Sequence, residues 1–162
     1  MLLATLRNPA AGLQATTNLD SQKKTMNALE VSKRVIDDWN KHDIDGVLAG
    51  YAEGATYSHP RVGENVTREA MSNFFKGVWA AYPDSSLELI NIIANTGGGL
   101  VATQWVFRGT NTGTLTDGTA ATGRTVTQPG ATFYQFEGDK IRSERAYVDM
   151  HDTLKQLGLI AK

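Results

Sequence analysis

Up to Pro83 the apolar residues of this chain recur at a spacing near 3.6, and after it at a spacing near 2. That switch fixes the order in which helices and strands are laid down. Between Asn27 and Lys41, Val31, Val35 and Trp39 fall at i, i+4 and i+8, with Ile36 widening the stripe, which predicts an amphipathic helix. Asp43 reads as the N-cap of a short second helix, with Ile44, Val47, Leu48 and Tyr51 on one face and Gly46 weakening it. The segment ATYSH at 55–59 predicts a brief extended piece ending at Pro60. A third helix follows Thr67, turns Met71, Phe74, Phe75, Val78 and Tyr82 inward, and stops at Pro83.

Beyond Pro83, alternation predicts strands at 86–94, 100–110, 124–137 and 140–148. NTGGG at 95–99 and EGD at 137–139 are hairpin-type connections, so neighbouring strands should run antiparallel. Residues 109–123, rich in Gly and Thr, read as a longer loop or a frayed hairpin end. A last short helix follows Asp149, with Gly158 suited to its C′ position. The plan is α+β: a curved antiparallel sheet of four strands wraps a long helix as a cone, with helices at the N-terminus. The mouth of such a cone is the default place for a small apolar ligand. Residues 26–162 are expected to form a single domain, and the weakly patterned residues 1–25 a loosely ordered extension, with Met26 a second candidate start.

The near-balance of charge, -1 overall, leaves no Lys and Arg stripe able to follow a phosphate backbone, so nucleic acid is not expected as a partner. MLLATL is too short to span a bilayer, and no membrane partner is expected. The chain has no cysteine, which removes thiolate chemistry and disulfides and is compatible with the expected cytoplasmic location. Three scattered histidines predict no metal site.

Five patterns in order are WNKHDIDGVL at 39–48, YPD at 82–84, VATQWVFRGTNTG at 101–113, TGR at 122–124 and YVDMHDTLKQLGL at 147–159. Together they resemble the SnoaL-like polyketide cyclases of the nuclear transport factor 2 and ketosteroid isomerase superfamily, over about Leu29 to Leu159. The resemblance implies a cone-shaped α+β barrel, a homodimer through the outer sheet face, and no metal or organic cofactor. It also implies proton removal next to a carbonyl, with a donor stabilising the enolate in a water-poor pocket. Aligned without gaps, the acid/base aspartate of the cyclases falls on Ala146. A pocket His and Gln fall on Thr132 and Gly130, and an Asn before the proline falls on His59.

Two residues remain as catalytic candidates. Asp149 reads first as the N-cap of the last helix and second as a pocket acid. His59 reads either as a base or donor beside the pocket or as a solvated loop histidine. Tyr57 shares its face. Gln128, Thr132 and Tyr134 alternate along one strand as ligand contacts, with Trp105 beside them as core or contact. Glu144 shares the face of Ala146, although burial preferences favour solvent for such a residue. His42 and His151 are expected near the surface, and Arg145 on the outside.

Three functions stay open: a cofactor-independent cyclase or isomerase acting on a hydrophobic carbonyl compound, a ligand-binding or interaction module of the same fold, and epoxide-hydrolase-like water addition. Asp149 and Arg145 would supply two parts of the last, but strand 100–110 lacks the second aspartate it needs.

Overall fold

Polar side chains set the starts of the second and third helices. In the computed structural model, which describes residues 9–161, Asp43 accepts the backbone N–H of Gly46 at 3.0 Å to open α2 (Ile44–Ala49). Thr67 accepts that of Ala70 at 3.2 Å to open α3 (Arg68–Ala81). Each satisfies a backbone donor that the first helical turn cannot. After Pro83 come β3 (Ser86–Ala94), β4 (Leu100–Thr110), β5 (Thr125–Glu137) and β6 (Lys140–Val148), then α4 (Met150–Leu157). These strands pair antiparallel in sequence, as the hairpin signals predict.

The first half departs from the sequence reading in three places. The first helix, α1 (Pro9–Asn40), starts well before Asn27 and takes in residues expected to be loose; residues 1–8 lie outside the described residues. Residues 16–20 are all exposed, so no apolar stripe marks this part of the helix. Thr25 ties it to the β3–β4 hairpin, accepting the N–H of Gly97 at 3.0 Å. Gly98 sits so close below, at φ 66, that a Cβ there would fall 2.4 Å from the Lys24 carbonyl oxygen.

Tyr51, expected on a face of α2, instead begins β1 (Tyr51–His59). An irregularity between Tyr51 and Thr56 breaks the alternation that would have marked this strand. A further strand, β2 (Gly63–Thr67), has an edge-strand sequence with little apolar signal and pairs only with β1. The sheet therefore has six strands in the order β2-β1-β6-β5-β4-β3, and β1 lies parallel to β6. It is not the four-stranded, wholly antiparallel meander expected.

Because β2 and β3 end the sheet without pairing with each other, it curves round the helices unclosed. α1 packs on β3 and β4, and α3 on β1 and β2. Val31, Val35 and Trp39 of α1 meet Met71, Phe75 and Trp79 of α3 and Trp105 and Phe107 of β4 in one buried cluster. Trp39 contacts Trp79 and Phe107 edge-on at 5.7 and 6.2 Å, a favoured geometry for aromatic pairs. His42 is not a surface residue: its ring stacks on Trp79 at 5.1 Å, and its Nε2 lies 3.3 Å from the Ser85 hydroxyl.

The β4–β5 connection is a loop fastened by one side chain. Asn111, with no exposed surface, donates to the carbonyls of Ala81 and Gly113, and its Oδ1 accepts the N–H and hydroxyl of Thr122. Losing one amide strands several buried partners at once. Asn111→Ala should therefore lower the unfolding free energy by about 3 kcal/mol in urea titration followed by tryptophan fluorescence; a loss under about 1 kcal/mol would mean that the loop holds without it.

Candidate functional site

Alternation along four neighbouring strands turns one side chain in two toward the helices. Between this inner face, α1 and α3 lies a cavity of about 110 Å³. That is ample for several waters or a small organic fragment. β1 contributes Tyr57 and His59, β4 Trp105 and Phe107, β5 Gln128, Thr132 and Tyr134, and β6 Glu144 and Ala146. The helical wall is Ile36, Trp39, Phe74, Phe75 and Val78. The apolar lining makes each polar group on the wall count for more.

Glu144 is the charged group of the sheet wall. It is 7% exposed, not solvated as burial preferences suggest. Burial pushes its carboxyl up to about 7, and a hydrogen bond donated by the Tyr51 hydroxyl only partly opposes this. Tyr57 is its neighbour on β1 and Tyr134 its neighbour on β5. All three phenols are buried beside the carboxylate, and both conditions raise their pKa values well above the ordinary range. They stay protonated, and Glu144 gains or loses its proton near neutral pH.

His59 sits two residues further along β1, held between the rings of Tyr57 and Phe74, with centroids 6.1 and 4.9 Å away. Burial, helped by the charge of Arg61, lowers its pKa to about 4, so the ring is neutral at physiological pH. Its Nδ1 accepts the backbone N–H of Arg61 at 3.1 Å. The ring proton must then be on Nε2, which makes His59 a neutral donor.

Gly130 and Trp105 shape the wall between these groups. A Cβ on Gly130 would fall 2.4 Å from Cη2 of Trp105, so the indole can lie over β5 only because this residue is glycine. The indole N–H donates to the Thr132 hydroxyl at 2.9 Å, which fixes the ring. Gln128 donates to the Thr153 hydroxyl and so joins β5 to α4.

Asp149 is not on the cavity wall. It caps α4, accepting the N–H of Asp152 at 3.0 Å, which is the structural role its position suggested first. Arg145 pairs with Glu64 at 2.5 Å, away from the cavity, so the Asp149 and Arg145 pair that water addition requires is not assembled there. Tyr51, Arg61 and Phe74 were missed as site residues. Arg61 follows Pro60 directly, whereas Tyr51 was hidden by its assignment to α2. Among the described residues no group of three or more His, Cys, Asp or Glu could hold a metal ion, and no helix is long and apolar enough to cross a membrane.

A profile of the SnoaL-like domain matches residues 33–144. The chain belongs to the SnoaL-like family. Solved structures share the fold of this SnoaL-like protein. The candidate hydroxylase AclR from Streptomyces galilaeus superposes with a TM-score of 0.75 at 20% identity, over 85% of this chain and 99% of that one. A candidate polyketide cyclase from Xanthomonas campestris pv. campestris gives 0.75 at 21%, over 83% and 98%. IdmH, a candidate polyketide cyclase from Streptomyces antibioticus, gives 0.68 at 21%, over 81% and 98%. A search of curated proteins gives no match. The six-stranded, unclosed sheet around its helices is thus the cone of the nuclear transport factor 2-like fold.

The two titrating groups of this SnoaL-like cavity pull stability in opposite directions. Between pH about 4.5 and about 7 the folded chain keeps a proton on Glu144 that the unfolded chain has released, so this contribution falls as pH rises. Between about 4 and about 6.5 the unfolded chain holds a proton that folded His59 has lost, so that contribution rises with pH. The slopes offset each other where they overlap. Glu144→Gln leaves the His59 slope alone, and its unfolding free energy should gain about 1 kcal/mol per pH unit over wild type between about pH 5 and 6. Parallel pH curves for the two proteins would count against the raised pKa of Glu144.

Proposed function

We propose that this SnoaL-like protein binds a hydrophobic carbonyl compound in the cavity and catalyses proton transfer at the carbon next to the carbonyl, as an isomerase or cyclase without a cofactor. The observation that carries this reading is the buried Glu144, whose carboxyl titrates near neutral pH. A base with that acidity constant is matched to its task at physiological pH. Its carboxylate takes the α-proton, the carbonyl becomes an enolate, and the proton is returned to carbon or the enolate attacks a second carbonyl. His59, neutral and protonated on Nε2, donates to the enolate oxygen. A neutral imidazole is better matched to this than an imidazolium, which would give its proton up to the Glu144 carboxylate and quench the base.

Ala146, where the cyclases carry their acid, supports the same reading in a different register. Its small side chain leaves open the space beside Glu144, on the same strand face and two residues further on. The substrate fits over Ala146, reached by Glu144 from one side and His59 from the other. Thr132, opposite Ala146, and Trp105 above Gly130 bound its flat face. This arrangement favours a compact cyclic or aromatic ketone.

The test is deuterium exchange at the α-carbon of 2-tetralone in D2O, followed by proton NMR. Glu144→Gln should slow the protein-dependent exchange at least about 100-fold and His59→Gln by about 10-fold or more. Asp149→Asn should leave it near wild type. The rate should rise through pH about 7 as Glu144 ionises. Saturable binding of 2-tetralone without exchange would point instead to a binding module.

We also propose that a second copy of the chain covers the outer sheet face, as the family resemblance implies. Ile93, Ala102 and Phe133 form one row across three strands. Ile93 and Phe133 are 68% and 43% exposed, and Phe133 meets the exposed Tyr147 edge-on at 6.0 Å. Apolar rings on an open sheet face are unusual unless something covers them. Light scattering after size exclusion should give twice the 17.6 kDa chain mass, and Phe133→Arg should halve it. A wild-type monomer at micromolar concentration would end this proposal.

A further inference from the structure

Arg61 lines two spaces at once. It belongs to the wall of the interior cavity, and also to a groove on the surface bounded by Val62, Ala70 and Asn73 on one side and by Met150 and Leu154 of α4 on the other. Phe74 is shared in the same way. These two side chains therefore form the partition between cavity and solvent at the α4 end of the sheet.

The guanidinium is mostly buried, in hydrogen-bonding contact with the Tyr82 hydroxyl, and has no anion close to it. Its side chain is 16% exposed, and its ion-pair partner, Asp117, stands 3.6 Å away on a loop with more than half of its own side chain in water. That separation exceeds a charge-assisted hydrogen bond, which closes to about 2.8 Å. The Tyr82 hydroxyl beside it is neutral and cannot balance the charge. Holding a cation away from water without a close anion is costly, and the planar fork of an arginine is matched to two carboxylate oxygens. The backbone of Arg61 is also fixed, since its N–H is bound to His59 and the next residue's N–H to the His59 carbonyl at 3.0 Å. The base of the Arg61 side chain is thus held beside the proposed enolate donor.

We infer that Arg61 recognises a carboxylate at the mouth of the cavity, so that the ligand is a keto acid whose apolar, carbonyl-bearing body lies inside while its acid group stays in the partition. This rests on the proposed function only in placing the body of the ligand in the cavity. Asp117 then acts as a stand-in anion: exposed, it swings away when the ligand carboxylate takes the fork. Charges are arranged in order along the cavity, with the cation at the mouth and Glu144 deeper, beyond Ala146. An acid group entering first against Glu144 would meet a like charge, so the ligand is oriented with its ketone inward.

The experiment compares 5-benzoylpentanoate with its methyl ester, two aryl ketones that differ only in the acid group, by isothermal titration calorimetry at neutral pH. The acid should bind about tenfold more tightly than the ester, and Arg61→Gln should abolish the difference. Because Arg61→Gln can also disturb the turn, Asp117→Asn provides a second arm: removal of the competing anion should tighten binding of the acid about threefold and leave the ester unchanged. Equal affinity of acid and ester for the wild type, no detectable binding of the acid, or weaker acid binding in Asp117→Asn would each overturn the inference. Glu144→Gln should keep the acid preference. Loss of ketone exchange in that variant with the preference intact would separate proton transfer at Glu144 from carboxylate recognition at Arg61 and support the inference, whereas absence of exchange in the wild type with the preference intact would remove the catalytic reading and leave the carboxylate site standing.

Discussion

A carboxyl group cannot be left inside an apolar cavity without neighbours that hold it, and the parallel pairing of β1 with β6 supplies them. Glu144 faces Tyr57 across that pairing, and β1 begins at Tyr51, whose hydroxyl donates to it. Tyr134 approaches from the other side through β5. Without β1 the inner face of β6 would be a sheet edge, and Glu144 would sit in water with an ordinary acidity constant. The raised value depends on this strand placement, because burial is its main cause. The same strand carries His59, so a single pairing brings both groups with shifted pKa values to one cavity.

How much of this the sequence discloses follows from the kind of signal each element leaves. α3 and the four later strands bury one regular face, and their spacing marks them within a residue or two, whereas in the long helix it marks only the end near Asn40. β1 and β2 leave almost no such trace. The irregularity after Tyr51 lets Glu53 and Gly54 face solvent, and β2 is an edge of polar residues. Tyr51 therefore counted with the apolar face of a short helix, and the donor to Glu144 could not be read. The start of α1 was hidden for the opposite reason: its first turns bury nothing, so no periodicity records them. Asn111 shows a third case, because one buried amide organising a Gly and Thr-rich loop looks like any other turn residue.

The site was legible in its parts but not in its centre. Alternation placed Tyr57, Gln128, Thr132, Tyr134 and Trp105 on faces that do line the cavity, since period 2 fixes a face without reference to chemistry. It placed Glu144 on the same face, yet residue type argued for solvent. A general preference for exposed carboxylates was overridden by three tyrosines, two of them on a strand whose start was misread. Asp149 attracted attention because it is acidic and near Ala146 in sequence, but it follows the end of β6 and turns to cap α4. Proximity in sequence was a poor guide there, and strand parity a good one.

Moving an acid by two residues along a strand keeps its face and changes its depth. Two strand residues span about 7 Å, a distance comparable to the breadth of a fused ring system. Ala146 lies toward the α4 end, where Arg61 and Phe74 separate the cavity from the outer groove, and Glu144 lies further in. On the proposed reading, a ligand that met an acid at position 146 would react near the mouth, whereas one that must reach Glu144 has to travel past Ala146 first. That requires the substitution at 146 to be small, because a longer side chain would fill the path, and it requires something at the mouth to bind the end of the ligand left behind. Gly130 follows from the same demand. With the indole of Trp105 folded down over β5, the wall opposite the path is flat, and any side chain at 130 would push that ring into the space the ligand must cross. On the proposed reading, Ala146, Gly130 and the depth of Glu144 therefore belong to one geometry of the cavity.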